Sequence, residues 1–129
     1  MYAMRSLLAG VILFSCFTVS CNDADNAQPK EHVRLSRLVI KQSELDNFKQ
    51  VLKKHIEEAK RNGPGTKTLY PVFEAGKPNH LTMVEVYVSR EDYHYYLKSA
   101  HYSAYKEATS SMVEAVELLE ATPLLPLED

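Results

Sequence analysis

A chain of 129 residues with a formal net charge of −2 allows one small domain and offers no basic footprint for nucleic acid. Both of its cysteines, Cys16 and Cys21, fall near the N-terminus. Everything after them can form neither a disulfide nor a thiolate metal site.

The first element is not part of a domain core. Arg5 precedes "LLAGVILFSCFTV" (Leu7 to Val19), a run too short to span a hydrocarbon core of ~30 Å. A charged start, an apolar middle and a small-residue end make a secretory signal. "TVSC", ending at Cys21, resembles the bacterial lipobox, in which the signal is cut before a cysteine that then receives lipid. That motif usually has Leu where Thr18 stands, and "LFSC", ending at Cys16, is a second match with Leu13 in place. The polar stretch "NDADNAQPKEH" after Cys21 suits a tether and favours Cys21 as the lipidated residue. The expected organisation is a lipoprotein-type signal over 1–20, a flexible tether over 21–32 and a folded domain over 33–129. The chain is then exported and held at a bacterial membrane, in the periplasm or at the outer membrane, touching lipid only through its anchor.

"VRLSRLVIK" (Val33 to Lys41) is β-branched and aliphatic with partial alternation, and predicts a strand. Ser43 is placed to cap a helix in which Leu45, Phe48, Leu52, Ile56 and Ala59 form an apolar stripe. Lys60 and Arg61 close it before "NGPG", and His55 is read as a surface residue flanking the stripe. "TKTLYPVFEA" predicts a second strand, confined by Pro71 to an edge or a bulge. "GKPNH" predicts a turn and "LTMVEVYVS" a third strand. In that strand Thr82, Val84, Val86 and Val88 share one face, and Leu81, Met83, Glu85 and Tyr87 the other.

Ser89 with Asp92 three residues on starts a second helix, expected to run with a break near Ser99–Ala100 to about Glu120. Met112, Val113, Val116 and Leu119 would be its later packing stripe, and "ATPLLPL" a final extended segment. The order is βαββαβ, a ferredoxin-like α+β unit with helices on one face of an antiparallel sheet. The other face, expected to carry Leu81, Met83 and Tyr87, needs a cover that a second copy would supply.

The order of elements and four local motifs resemble the antibiotic biosynthesis monooxygenase (ABM) family, including its quinol monooxygenase type, from about Arg34 to Leu119. Those motifs are Gly65 leading into Tyr70, Pro78–Asn79, Glu85-Val86-Tyr87, and "YLKSAHYSAY". In the last, Tyr96 and His101 stand where the family has two histidines, with Tyr102 and Tyr105 after them. The resemblance implies a homodimer whose two sheets close an α+β barrel. It also implies a pocket between sheet and helices where a quinol-like or polycyclic aromatic meets molecular oxygen without metal or cofactor. On that reading His101 is the general base or orienting donor, with Glu85 orienting it or a substrate hydroxyl, and histidine needs little tuning for the task. Tyr70, Tyr87, Tyr96 and Tyr105 would wall the ring. The absence of tryptophan disfavours the family's haem-degrading chemistry. Glu85 stands out from the pattern itself, as a carboxylate between Met83 and Tyr87 on an apolar face. A non-catalytic dimeric protein that binds a small molecule is the alternative on the same fold.

Overall fold

The computed structural model describes residues 31–128; Cys16, Cys21, the signal and the tether up to residue 30 lie outside the described residues. Four strands and three helices follow in the order β1 (His32–Ile40), α1 (Leu45–Asn62), β2 (Thr66–Glu74), β3 (Lys77–Tyr87), α2 (Arg90–Leu97), α3 (Ala100–Thr109) and β4 (Val113–Ala121). All strand pairs are antiparallel and the sheet order is β2-β3-β1-β4. This is the ferredoxin-like α+β arrangement, with α2 and α3 together taking the place of the second helix.

Helix α1 forms because Leu45, Phe48, Leu52, His55 and Ala59 repeat at helical spacing and are all buried. Ser43 does not cap it. A single 3-10 turn, Gln42–Glu44, precedes the helix, and Glu44 occupies the cap position without a side-chain bond. The helix ends as Lys60 and Arg61 reach the "NGPG" stop, where the Gly63 N–H returns to the Ala59 carbonyl at 2.9 Å. Gly65 is required for a different reason. A Cβ there would lie 2.2 Å from Oδ1 of Asp92, and Asp92 belongs to the Ser89 cap that starts α2.

Strand β2 is an edge strand, which accommodates Pro71 opposite Met83, and its register slips at Thr66/Thr68 and Phe73/Glu74. The turn to β3 is tighter than expected. Glu74 pairs with Lys77, so only Ala75 and Gly76 connect the strands, and Gly76 takes φ 83° as glycine does without strain. Pro78 and Asn79 thus belong to the start of β3, where Nδ2 of Asn79 donates to the Ile40 carbonyl at 2.9 Å.

The second helical region departs further. The break at Ser99 is real: its hydroxyl accepts from the Tyr102 N–H at 3.3 Å and caps α3. The helix stops at Thr109, however, and residues 113–121 form β4 rather than a helical turn carrying Met112, Val113, Val116 and Leu119. "VEAVELLEA" suits a helix by propensity, but the outer edge of β1 needs a partner. Pairing from Val33↔Ala121 to Ile40↔Val113 supplies one, and Lys41 N–H to the Met112 carbonyl at 2.8 Å fixes the start. "ATPLLPL" carries no strand beyond Ala121, and its end is pinned where the Leu127 N–H donates to Glu31 at 3.0 Å.

The face assignment on β3 also reverses. Leu81, Met83, Glu85 and Tyr87 point toward the helices and are buried, with Ile40, Phe48 and Leu52 completing the core. Burying one such apolar side chain contributes about 1.5–3 kcal/mol, so this layer dominates the stability of the domain. The helix-free face instead carries Val84 and Val86, with Leu35 and Val33 opposite them on β1 and Tyr70 opposite Val84 on β2.

Candidate active site

Strand β1 reads backwards by the usual rule. Its polar residues His32, Arg34 and Ser36 are buried under the helices, while Val33 and Leu35 face the other way. Arg34 sits opposite Glu85, and Ser36 opposite Met83. The result is a polar patch in the middle of an otherwise apolar layer.

Glu85 is the centre of that patch and is 6% exposed. Its Oε1 accepts from the Ser36 hydroxyl at 2.8 Å and its Oε2 from the Tyr87 hydroxyl at 2.9 Å. Arg34 supplies the opposite charge, with Nε 3.9 Å from Oε2. A guanidinium N–H of Arg34 also donates to the Tyr93 hydroxyl. A buried carboxylate stripped of such partners would cost about 3–5 kcal/mol, which explains why two hydroxyl donors and a guanidinium charge converge on it.

Above this floor a cavity of about 290 Å³ opens between sheet and helices. That is near the low end for small-molecule pockets. Arg34, Ser36 and Glu85 form its polar floor, and Leu38, Leu52 and Met83 its apolar walls. His55, Tyr96 and Tyr105 close it from the helices, while Val116 and Leu118 of β4 leave one side open.

His55 is not a surface residue but is 3% exposed, on the same stripe as Leu52 and Ala59. Its Nε2 lies 2.7 Å from the Tyr96 hydroxyl, and its ring stacks on Tyr105 at 4.3 Å between centroids. Burial, with the neighbouring His101 second, lowers its pKa to about 4, so the ring is neutral at pH 7. Burial first, and the Glu85 charge second, push the hydroxyls of Tyr87, Tyr96 and Tyr105 above their ordinary range. These phenols therefore keep their protons, and the His55–Tyr96 pair shares one proton without net charge.

Of the residues singled out from the sequence, Glu85, Tyr96 and Tyr105 meet at the cavity. Tyr87 lies beneath it, fully buried and bonded to Glu85. His101 is half-buried behind Tyr96 and His55, at ring distances of 5.8 and 5.6 Å. It lines a surface depression with Glu58, Tyr95 and Ser99 instead of the cavity. Tyr70 is 61% exposed on the helix-free face and is not part of this site. Arg34, Ser36 and His55 were not anticipated. The helical spacing Phe48, Leu52, His55, Ala59 was the available signal for His55. Among the described residues no group of three or more His, Cys, Asp or Glu side chains is placed to hold a metal ion.

The depressed His55 pKa has a consequence for stability. In the unfolded chain the ring takes up a proton near its ordinary pKa of 6.5, while the folded chain resists protonation down to about 4. Stability is therefore full above pH 6.5 and falls as pH drops toward 4, by on the order of 2–3 kcal/mol from this group. Urea unfolding at a series of pH values should show that loss, and His55→Gln should flatten it. An unchanged slope in the variant would exclude His55 as the source.

A model of the family described as "Antibiotic biosynthesis monooxygenase" matches residues 33–108. No curated protein matches the chain. Among solved structures, a protein of Bacteroides thetaiotaomicron assigned to antibiotic biosynthesis monooxygenases is 39% identical with a TM-score of 0.74, over 78% of this chain and 95% of its own. One from Lactobacillus acidophilus, assigned as a monooxygenase, is 26% identical with a TM-score of 0.68; it covers 74% of this chain but 49% of its own length. One from Nitrosomonas europaea shares the fold at 20% identity, with a TM-score of 0.72 over 78% and 97% of the two chains. With more than half its length matched and a relative of this similarity, the chain belongs to the antibiotic biosynthesis monooxygenase family.

Proposed function

We propose that the protein is a cofactor-independent monooxygenase that binds a quinol-like aromatic in the cavity between sheet and helices. The observation that carries this reading is Glu85, a buried carboxylate held at the floor of an apolar cavity walled by tyrosine rings. Such chemistry asks the protein for a base and a shaped, mostly apolar site. Conversion of a hydroxyarene with a free ring C–H, plus O2, to a quinone and water balances without an external reductant, because the ring supplies the electrons. Glu85 takes the hydroxyl proton, the electron-rich anion reacts with oxygen, and Tyr96 with His55 provides a neutral proton-bearing pair on the opposite wall. His101 acts behind them as a positioning residue. A binding protein that lacks turnover remains the second reading, since the fold hosts either.

Oxygen uptake against a panel of hydroquinones and naphthols tests the reading. Glu85→Gln should lower kcat/KM by roughly 10²–10⁴-fold, the usual contribution of a general base. His101→Ala should cost less, and a chelator nothing. The reverse ranking of the two variants would return the base to His101, and no uptake with any phenol would leave the binding protein.

The assembly is proposed as a homodimer joined through the helix-free faces. Val33, Leu35 and Val84 lie there half-exposed around the buried Val86, with Tyr70 61% and Val72 42% exposed at one side and Leu119 37% at the other. A contiguous apolar surface of this kind marks an interface. The chain without its first 20 residues should scatter light as a dimer at micromolar concentration. Val84→Lys, which puts a charge at the centre of the face, should give a monomer. A folded monomer of the unaltered sequence would refute the shared barrel.

Export and anchoring through Cys21 are likewise proposed from the signal-like N-terminus. No helix among the described residues is long and apolar enough to cross a membrane. Cys21→Ser should abolish partition into detergent and processing. Normal anchoring of that variant would move the lipid to Cys16 or discard it.

A further inference from the structure

Among the described residues, three buried side-chain nitrogens have no hydrogen-bond partner: Nε2 of His32, Nε of Arg34 and Nδ1 of His55. Arg34 and His55 both line the cavity, one on the sheet and one on the helices. Arg34 is the more informative, because it stands beside the carboxylate that the site is built around.

Arg34 is 9% exposed. Its Nε lies 3.9 Å from Oε2 of Glu85, within ion-pair range but too far for a hydrogen bond. A guanidinium that meets a carboxylate freely prefers a close, two-pronged contact. Here the two charges are held apart on neighbouring strands. Arg34 is drawn toward Tyr93, and Glu85 is fixed by Ser36 and Tyr87. The Glu85 oxygens each accept one bond in this way and each keep a further lone pair. The pair thus holds one unfilled donor, a nitrogen with no accessible surface of its own, beside free acceptor capacity in the layer beneath the cavity. A buried donor left unfilled costs about 1–3 kcal/mol, and an oxygen brought between Arg34 and Glu85 would recover it.

We propose that Arg34 and Glu85 part to clamp one hydroxyl group of the ligand, whose oxygen accepts from Arg34 Nε while its hydrogen is donated to Glu85. The proposal rests on the cavity being the aromatic site. It names Arg34 as the specificity-determining residue, and the ligand class as phenols and enols with a free hydroxyl on the ring. An ether at the same place accepts from Arg34 but leaves Glu85 without a donor, and an unsubstituted ring satisfies neither. The arrangement also suits proton transfer. When the O–H bond breaks and the proton passes to Glu85, the electron pair stays on an oxygen already held by a guanidinium that is always charged.

The test is a binding series on the purified full chain under argon, following ligand fluorescence, with 1-naphthol, 1-methoxynaphthalene and naphthalene as probes. Because oxygen is excluded, turnover does not enter. A clamp that holds in a protein without oxygen uptake would leave a phenol-binding protein. 1-Naphthol should bind more tightly than either analogue by on the order of ten- to a hundredfold. In Arg34→Met/Glu85→Gln, which removes both charges together so that neither is left unpaired, that preference should fall to a few-fold. Arg34→Lys keeps the charge but not the fixed Nε–H, and should also lose most of it. Circular dichroism establishes that each variant is folded. Equal affinity for the three probes, no binding of 1-naphthol, or an undiminished preference in the folded variants would overturn the proposal.

Discussion

One buried carboxylate organises this domain. Glu85 sits on one of the two inner strands, facing the helices, where a carboxylate is tolerated only if donors are brought to it. Ser36 and Arg34 come from β1 and Tyr87 from β3 itself. Their presence explains why β1 turns its polar residues inward. It also explains why the cavity has a polar floor instead of filling with apolar side chains as Ile40, Phe48 and Leu81 do nearby. The charge further acts at a distance, since it is the second cause, after burial, that keeps the surrounding tyrosines protonated.

The inward turn of β1 has a cost on the far side of the sheet. Each residue that points a polar group toward the helices leaves its neighbour pointing an apolar one away, because the strand period is two. Val33, Leu35 and Val84 are thereby left half-exposed, beside the buried Val86, on a face that no described helix covers. The same alternation that builds the site thus builds the surface through which a second copy is proposed to bind. Site and assembly are two consequences of one pattern.

The tyrosine-rich stretch 93–105 has a mixed role that follows from its geometry. Tyr93, Tyr87, Tyr96 and Tyr102 make a continuous run of tilted ring contacts between 4.9 and 5.2 Å. Tyrosine suits such half-buried places because its ring packs while its hydroxyl finds a partner. Tyr96 finds His55, and Tyr93 finds Arg34. The ring bodies are core, and the hydroxyls that reach the cavity are site. The break at Ser99 divides the segment into two short helices, so that Tyr96 on α2 and Tyr105 on α3 approach His55 from different directions.

Much of this was readable in the sequence. The α1 stripe, the edge position imposed by Pro71, the cap at Ser89, the break near Ser99 and the anomaly of Glu85 rest on local rules of spacing and steric fit, which hold whatever packs around them. What the tertiary structure decided were matters of competition between partners. "VEAVELLEA" has helix-forming composition and became β4 because the open edge of β1 offered it backbone hydrogen bonds. Alternation on β3 separated two faces without saying which one the helices would cover, so Met83 and Tyr87 fell on the opposite side from that expected. The sequence alone predicts a surface position for His55, because histidine beside an apolar stripe is usually solvated; burial against Tyr96 and Tyr105 makes it part of the site. His101 and Tyr96 lie on one motif, yet only Tyr96 reaches the cavity, since the ring of His55 comes between from α1. Periodicity specifies which residues share a face. Only the packing of one element against another specifies what that face meets.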